Sequence, residues 1–112
     1  MEYVVYLLVG TTNARRYVGM TGDPVRRLGE HNAGKVRPTA LSRPYRMVIL
    51  RHVLGVQAAR RSEKYFKSGF GRRQIDRLLA RERELGRPVM DAEAEGWLRN
   101  PFGAPLQDHA GG

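Results

Sequence analysis

The sequence predicts an α+β fold, a small three-stranded, mainly antiparallel sheet flanked by about three helices. Three observations carry this. The β-branched and aromatic runs Tyr3 to Val9 and Arg16 to Met20 are joined by the turn residues Gly10-Thr11-Thr12-Asn13, which reads as a hairpin. A further run from Tyr45 to Leu54, centred on Met47-Val48-Ile49-Leu50, supplies the third strand. Segments of helical period begin at Asp23-Pro24, at Val56 and at about Arg72.

The first strand has no polar face, so it is expected to be covered on both sides. If facing residues sum to an odd number, as with Leu8 opposite Tyr17, then Tyr6 and Tyr17 share a face as diagonal neighbours roughly 7–8 Å apart; a slip of one residue separates them. Strand propensity alone would equally make them core aromatics. Asp23 caps the first helix and Pro24 fits its first position. That helix should run to Asn32 or Ala33, stop near Gly34 and bury Val25 and Leu28. Arg27 and His31, four residues apart, share a face beside Leu28 and point over the sheet edge towards the tyrosines. The local alternatives are a solvated arginine, like Arg26, and a structural histidine.

Residues Gly34 to Pro44 read as a loop whose Lys35, Arg37 and Arg43 either line a nucleic-acid strand or are simply solvated. His52, in the third strand, reads as structural. In the second helix, Val56 to Lys67, Ala59 and Phe66 face inward, together with Phe70 just beyond. Glu63 falls on the same side, where a carboxylate is costly to bury unless paired or bound to a cation. Its local alternative is a pair with Arg60 or Lys67. Gly69 and Gly71 are expected to break the chain before a third helix, about Arg72 to Leu85. There Ile75, Leu78 and Leu79 pack inward and arginines dominate the outside. Lys67, Arg72 and Arg73 are its nearest candidates for phosphate contact, while Glu82 and Glu84 suggest an ordinary charged far end.

Composition narrows the partners. The 112 residues form one domain, 1–87, able to bury about 60 to 70 per cent of its unfolded surface, followed by an acidic, Gly- and Pro-containing tail, 88–112. The net charge of +9 is uneven: 19 Lys and Arg against 7 Asp and Glu before residue 88, then 1 against 4. The body should therefore seek polyanions, and arginine forks suit phosphate. A basic surface serving only solubility is the plain alternative. A short helix near Asp91 to Leu98 is expected in the tail, with Trp97 and Leu98 docking on the body. Its end, 108–112, is expected to be mobile, and its acids would compete for the basic surface. With no cysteine, disulfides and thiolate zinc sites are excluded, and a cytoplasmic location fits. The apolar run at Tyr3 to Val9 is far too short to span a membrane.

The residues Val4-Val5-Tyr6, then Tyr17-Val18-Gly19 through Arg27 and His31, then Ser62-Glu63-Lys64-Tyr65-Phe66-Lys67-Ser68-Gly69, resemble the ordered motifs of the GIY-YIG nuclease superfamily, in its small single-domain bacterial form. The likeness covers roughly residues 3 to 80. Val4 and Val5 stand where Gly and Ile are usual, which leaves the motif tyrosine in place. The resemblance implies metal-dependent hydrolysis of DNA phosphodiesters, with Glu63 holding one Mg²⁺ or Mn²⁺. In that reading Arg27 clamps the scissile phosphate, Tyr6 is the general base, His31 accepts or relays its proton, and Tyr17 orients the water or a phosphate oxygen. A tyrosine of ordinary pKa, near 10, is a poor base at neutral pH, so Arg27 and the metal are expected to lower it.

Two other classes share these features: a catalytically idle nucleic-acid-binding module, and a small metal-independent ribonuclease using arginine, tyrosine and histidine alone. Recognition is expected to run through backbone and shape on branched or single-stranded DNA, or through a targeting protein partner. With about five phosphates contacted, log K should fall with log salt at a slope of roughly −4 to −5.

Overall fold

A computed structural model describes residues 1–98 of the chain. They run β1 (Glu2–Gly10), β2 (Arg16–Thr21), α1 (Pro24–Asn32), a 3₁₀ helix (Arg37–Ser42), β3 (Tyr45–Leu54), α2 (Val56–Lys67) and α3 (Gly69–Leu85). The strands form one antiparallel sheet in the order β2-β1-β3. β1 is central, which explains its lack of a polar face: Val4 to Leu8 are all buried.

Alternation along β1 divides the interior in two. Val5 and Leu7 join Val48, Leu50, Phe66, Ile75, Leu78 and Leu79 beneath α2 and α3. Tyr6 and Leu8 join Tyr45 and Met47 on the opposite face, with Tyr17 and Leu28 packed against them. A fully buried Leu or Phe side chain is worth about 1.5–3 kcal/mol, so the larger α2–α3 cluster carries most of the stability. A register shift between β1 and β3 falls between Val5 and Tyr6. This irregularity lies beside the phenol of Tyr6, where a bulge can re-aim a side chain.

Several expected details are corrected. Val25 is 84% exposed; the buried stripe of α1 passes through Leu28 to His31. At about 100° per residue, Val25 falls to the side of that stripe. The segment from Gly34 to Pro44 is not a plain loop, because it contains the 3₁₀ helix that buries Thr39. The expected break before the third helix is present, but it falls at Ser68 rather than at Gly69 and Gly71. α3 begins at Gly69, capped by Ser68, and Gly71 is buried inside it. A Cβ at Gly71 would lie 2.3 Å from the Tyr65 carbonyl oxygen and 2.4 Å from the Phe66 Cα, so glycine allows α3 to meet the end of α2. Phe70, expected inward, is 70% exposed.

Glu82 is no ordinary surface charge. It is buried, pairs with Arg46 through both carboxylate oxygens, and accepts the Val89 N–H at 2.6 Å. An arginine fork plus a backbone N–H gives a buried carboxylate the partners it needs.

Beyond α3 the expected helix does not form, and the chain lies along β3. Ile49 donates its N–H to the Met90 carbonyl at 2.8 Å, and Ala92 donates to the Ile49 carbonyl at 2.7 Å. Val89 and Ala92 are buried, and Trp97 and Leu98 pack on the core as expected. The acids of this segment have partners in the fold. Asp91 lies 2.6 Å from His52, Glu93 binds Arg51 and the His52 N–H, and Glu95 binds Arg87. Those three are thereby held in the fold rather than free to compete for a basic surface, and His52 is structural as expected. The end expected to be mobile, 108–112, lies outside the described residues. Among the described residues no helix is long and apolar enough to cross a membrane.

Candidate active site at the edge of the sheet

The β1–β2 register places Leu8 opposite Tyr17 and Tyr6 opposite Gly19. The sums are odd, so the two tyrosines share a face. A Cβ at Gly19 would come within 2.4 Å of the Tyr6 hydroxyl and 3.1 Å of the Tyr17 ring. Glycine there lets the phenol of Tyr6 lie across the neighbouring strand.

α1 carries His31 to that phenol. The Tyr6 hydroxyl lies 2.8 Å from His31 Nε2, and His31 Nδ1 lies 2.7 Å from Thr39 Oγ1. The Thr39 hydroxyl also lies 3.2 Å from the Val36 carbonyl. With its hydrogen on that carbonyl, Thr39 accepts the His31 Nδ1–H and Nε2 accepts the Tyr6 O–H. All three side chains are buried. Burial, and then the charge of Arg27, hold His31 below its ordinary pKa, against the opposing charge of Glu30.

Burial pushes the Tyr6 phenol above its usual pKa, although hydrogen bonding and charge from Arg27 act the other way. Arg27 thus acts in the expected direction, but desolvation of a phenol 1% exposed outweighs one partly exposed guanidinium. Arg27 itself donates to Glu30 at 3.0 Å and is raised by Glu30 first and Tyr6 second.

α2 brings Glu63 in from the other side. Its charge reaches the Tyr6 phenol, and its carboxylate lies 3.4 Å from Lys67 Nζ. Of its two local partners the structure selects Lys67. That ammonium sits 5.9 Å from the Tyr17 ring centroid, within cation–π range. The Tyr17 ring is 5.4 Å from that of His31. Tyr6, Tyr17, Arg27, His31 and Glu63 are thus gathered around the edge of the sheet from β1, β2, α1 and α2.

The remaining candidates are spread more widely. Arg72 lines a groove with Lys67 and Tyr17. Arg73 stacks on Phe70 and lines a separate cavity with Trp97. Lys35 and Arg37 are exposed, and Arg43 is turned back onto the Ala40 carbonyl.

Of these residues Glu63 is the carboxylate that could hold a divalent cation. Among the described residues no group of three His, Asp or Glu side chains converges, and the Glu63 carboxylate is 24% exposed. This fits a hard cation that keeps several waters and takes one carboxylate plus a substrate phosphate.

Sequence reasoning passed over Thr39 and Gly19. Thr39 carried no local signal, because its partner is eight residues away across a loop; a histidine buried beside a tyrosine does, however, require a second partner for its other nitrogen. Gly19 was legible once the register was fixed, since it is the residue facing Tyr6.

Comparison with curated proteins and with solved structures returned no match to the chain. A family model described as the GIY-YIG catalytic domain matches residues 2–76, which span β1 to the middle of α3 and all five clustered side chains. The chain therefore belongs to the GIY-YIG nuclease superfamily.

Proposed function

We propose that the protein is a metal-dependent endonuclease that hydrolyses DNA phosphodiester bonds. It would act with backbone- and structure-selective or weak sequence recognition, in a cytoplasmic setting that suits a cysteine-free chain. The observation that carries this reading is the buried relay of Tyr6, His31 and Thr39 ending beside Arg27.

Hydrolysis at phosphorus needs an activated water and compensation for charge on the phosphate oxygens. A neutral phenol with a raised pKa cannot serve as a resting base. It can pass its own hydrogen to His31 Nε2 while its oxygen takes one from the water. His31, kept neutral by burial, is ready to accept, and Thr39 holds Nδ1–H in place. Arg27 meets the phosphate oxygens, where a preorganised donor acts on charge as it develops. Its turn away from Glu30 would also open a path to a phenol that is 1% exposed. Tyr17 orients the water or a phosphate oxygen. Glu63 would hold one Mg²⁺ or Mn²⁺, which when bound supplies positive charge at the phosphate and the leaving oxygen.

The test is a cleavage panel over duplex, flap, junction and single-stranded DNA, and RNA, in Mg²⁺, Mn²⁺ or EDTA. Glu63→Ala and Arg27→Ala should each lower the rate by about 10² or more, as for loss of one preorganised partner, with circular dichroism unchanged. Equal cleavage by wild type and both variants would trace the activity to a contaminant. Full activity in EDTA with 2′,3′-cyclic phosphate ends would instead identify a metal-independent ribonuclease, and binding without cleavage an idle binding module.

A further inference from the structure

Two grooves meet the edge strand β2 on either side of Gly19, the residue opposite Tyr6. One runs along Arg16, Tyr17 and Val18 against α2 and the start of α3, with a volume of about 570 Å³. The other runs along Met20 and Thr21 towards the start of α1, with about 580 Å³. They are similar in size and opposite in character. Lining the first are four cationic side chains, Arg15, Arg16, Lys67 and Arg72, and one carboxylate, Asp76. The second is lined by two cations, Arg26 and Arg27, and two carboxylates, Asp23 and Glu30.

Within the first groove, Arg16 is tied to Asp76 and Lys67 to Glu63. Arg15 and Arg72 have no carboxylate partner among the described residues, and both are exposed. Val18, Phe66 and Ile75 close the bottom of the groove as buried core, and the half-buried Tyr17 ring, at the junction with the candidate site, is its aromatic surface. A cationic rim beside a partly exposed aromatic ring suits single-stranded nucleic acid, with phosphates on the rim and a base against Tyr17.

We infer that the groove between β2 and the α2–α3 junction is the track for a single nucleic-acid strand on one side of the scissile phosphate. The charge-balanced groove on the Arg27 side makes no comparable demand on its flank. This rests on the nuclease reading above for the position of the cut, but the groove's affinity for a strand does not depend on cleavage. The substrate class it selects is a duplex bearing a single-stranded arm.

The experiment measures binding in EDTA, so cleavage plays no part. Fluorescein-labelled blunt duplex is compared with the same duplex carrying a single-stranded arm. The double substitution Arg15→Ala with Arg72→Ala should weaken binding of the armed duplex several-fold. It should also flatten its salt slope by about 1.4, twice the roughly 0.7 per phosphate contact of single strands, and leave the blunt duplex nearly unchanged. Asp76→Asn, which frees Arg16, should tighten the armed complex. Arg83→Ala, at the far end of α3, is the control. Because the chain has no cysteine, Ala14→Cys in the first groove and Gly22→Cys in the second can each carry a unique photocrosslinker. The arm should crosslink several-fold more from position 14. Equal losses on both DNAs, an unchanged slope, or equal crosslinking from the two positions would overturn the proposal. Failure of the nuclease reading would appear separately, as absent cleavage with the groove effects intact.

Discussion

The two faces of the sheet draw on one central strand and use it differently. On the α2–α3 face Val5 and Leu7 pack into a mainly apolar cluster, Phe66 and Ile75 among its members, with Arg51, buried and bound to Glu93, paired across the sheet from Val5. On the α1 face Tyr6 is tied through His31 to Thr39, and each buried polar atom of that relay is satisfied by another. The first face depends on volume and the second on hydrogen-bond identity. A period of two lets adjacent residues of β1 serve these separate ends, so the two can be damaged separately.

The two faces are told apart most directly by removing volume from one and a hydroxyl from the other. Phe66→Ala should cost about 3–5 kcal/mol of stability, as expected for a fully buried aromatic, read as a fall in the urea midpoint. Tyr6→Phe should cost less, about 1–3 kcal/mol for the acceptor left unpaired on His31, yet lower cleavage by about 10² or more. Equal loss of stability in the two variants would mean that the α1 face is only more core.

The sharpest steric test is Gly19→Ala. Its methyl would meet the Tyr6 hydroxyl at 2.4 Å, so the phenol must leave its place over β2. Cleavage should drop by about 10², the effect of misplacing a catalytic group by roughly an ångström, while the α2–α3 core stays intact by circular dichroism.

Thr39 separates hydrogen-bond identity from shape. Thr39→Val keeps the volume but removes the acceptor for His31 Nδ1–H, and should reduce kcat by about tenfold or more while moving the ring nitrogens in ¹⁵N spectra. Thr39→Ser should restore both. If valine and serine behave alike, the hydroxyl has no part in fixing the tautomer.

The smallest effect is on pH. Because His31 is held below its ordinary value near 6.5, the unfolded chain takes up its proton first as pH falls. The stability gained from a neutral His31 is complete above about 6.5 and declines as pH falls towards the folded value. The acid limb of cleavage should likewise lie below 6.5. His31→Gln should abolish that stability slope; a rise in stability on acidification would contradict the neutral imidazole.

How much was legible follows the same division. The β1–β2 hairpin, its register and the Asp23 cap depend on near neighbours in sequence and are readable there. The inward face of α1 was misjudged because Val25 is apolar and His31 is not, yet packing against Tyr6 rewards the histidine. Gly71 reads as a break in the sequence because closeness between α2 and α3 is invisible in a single chain's propensities. Glu82 and Thr39 take meaning only from Arg46 and His31, which no local pattern links to them. The rise of the Tyr6 pKa required knowing that desolvation exceeds the pull of Arg27, a balance of burial rather than of residue type.

The segment after α3 has a consequence for how the protein can be cut down. By pairing its backbone with Ile49, it sheathes the outer rim of β3. A version ending with α3, at residue 85, would bare that rim and uncover the pocket filled by Val89 and Ala92. Exposed strand rims recruit other chains. Such a minimal domain is therefore expected to self-associate, and loss of activity in it would report stickiness before chemistry.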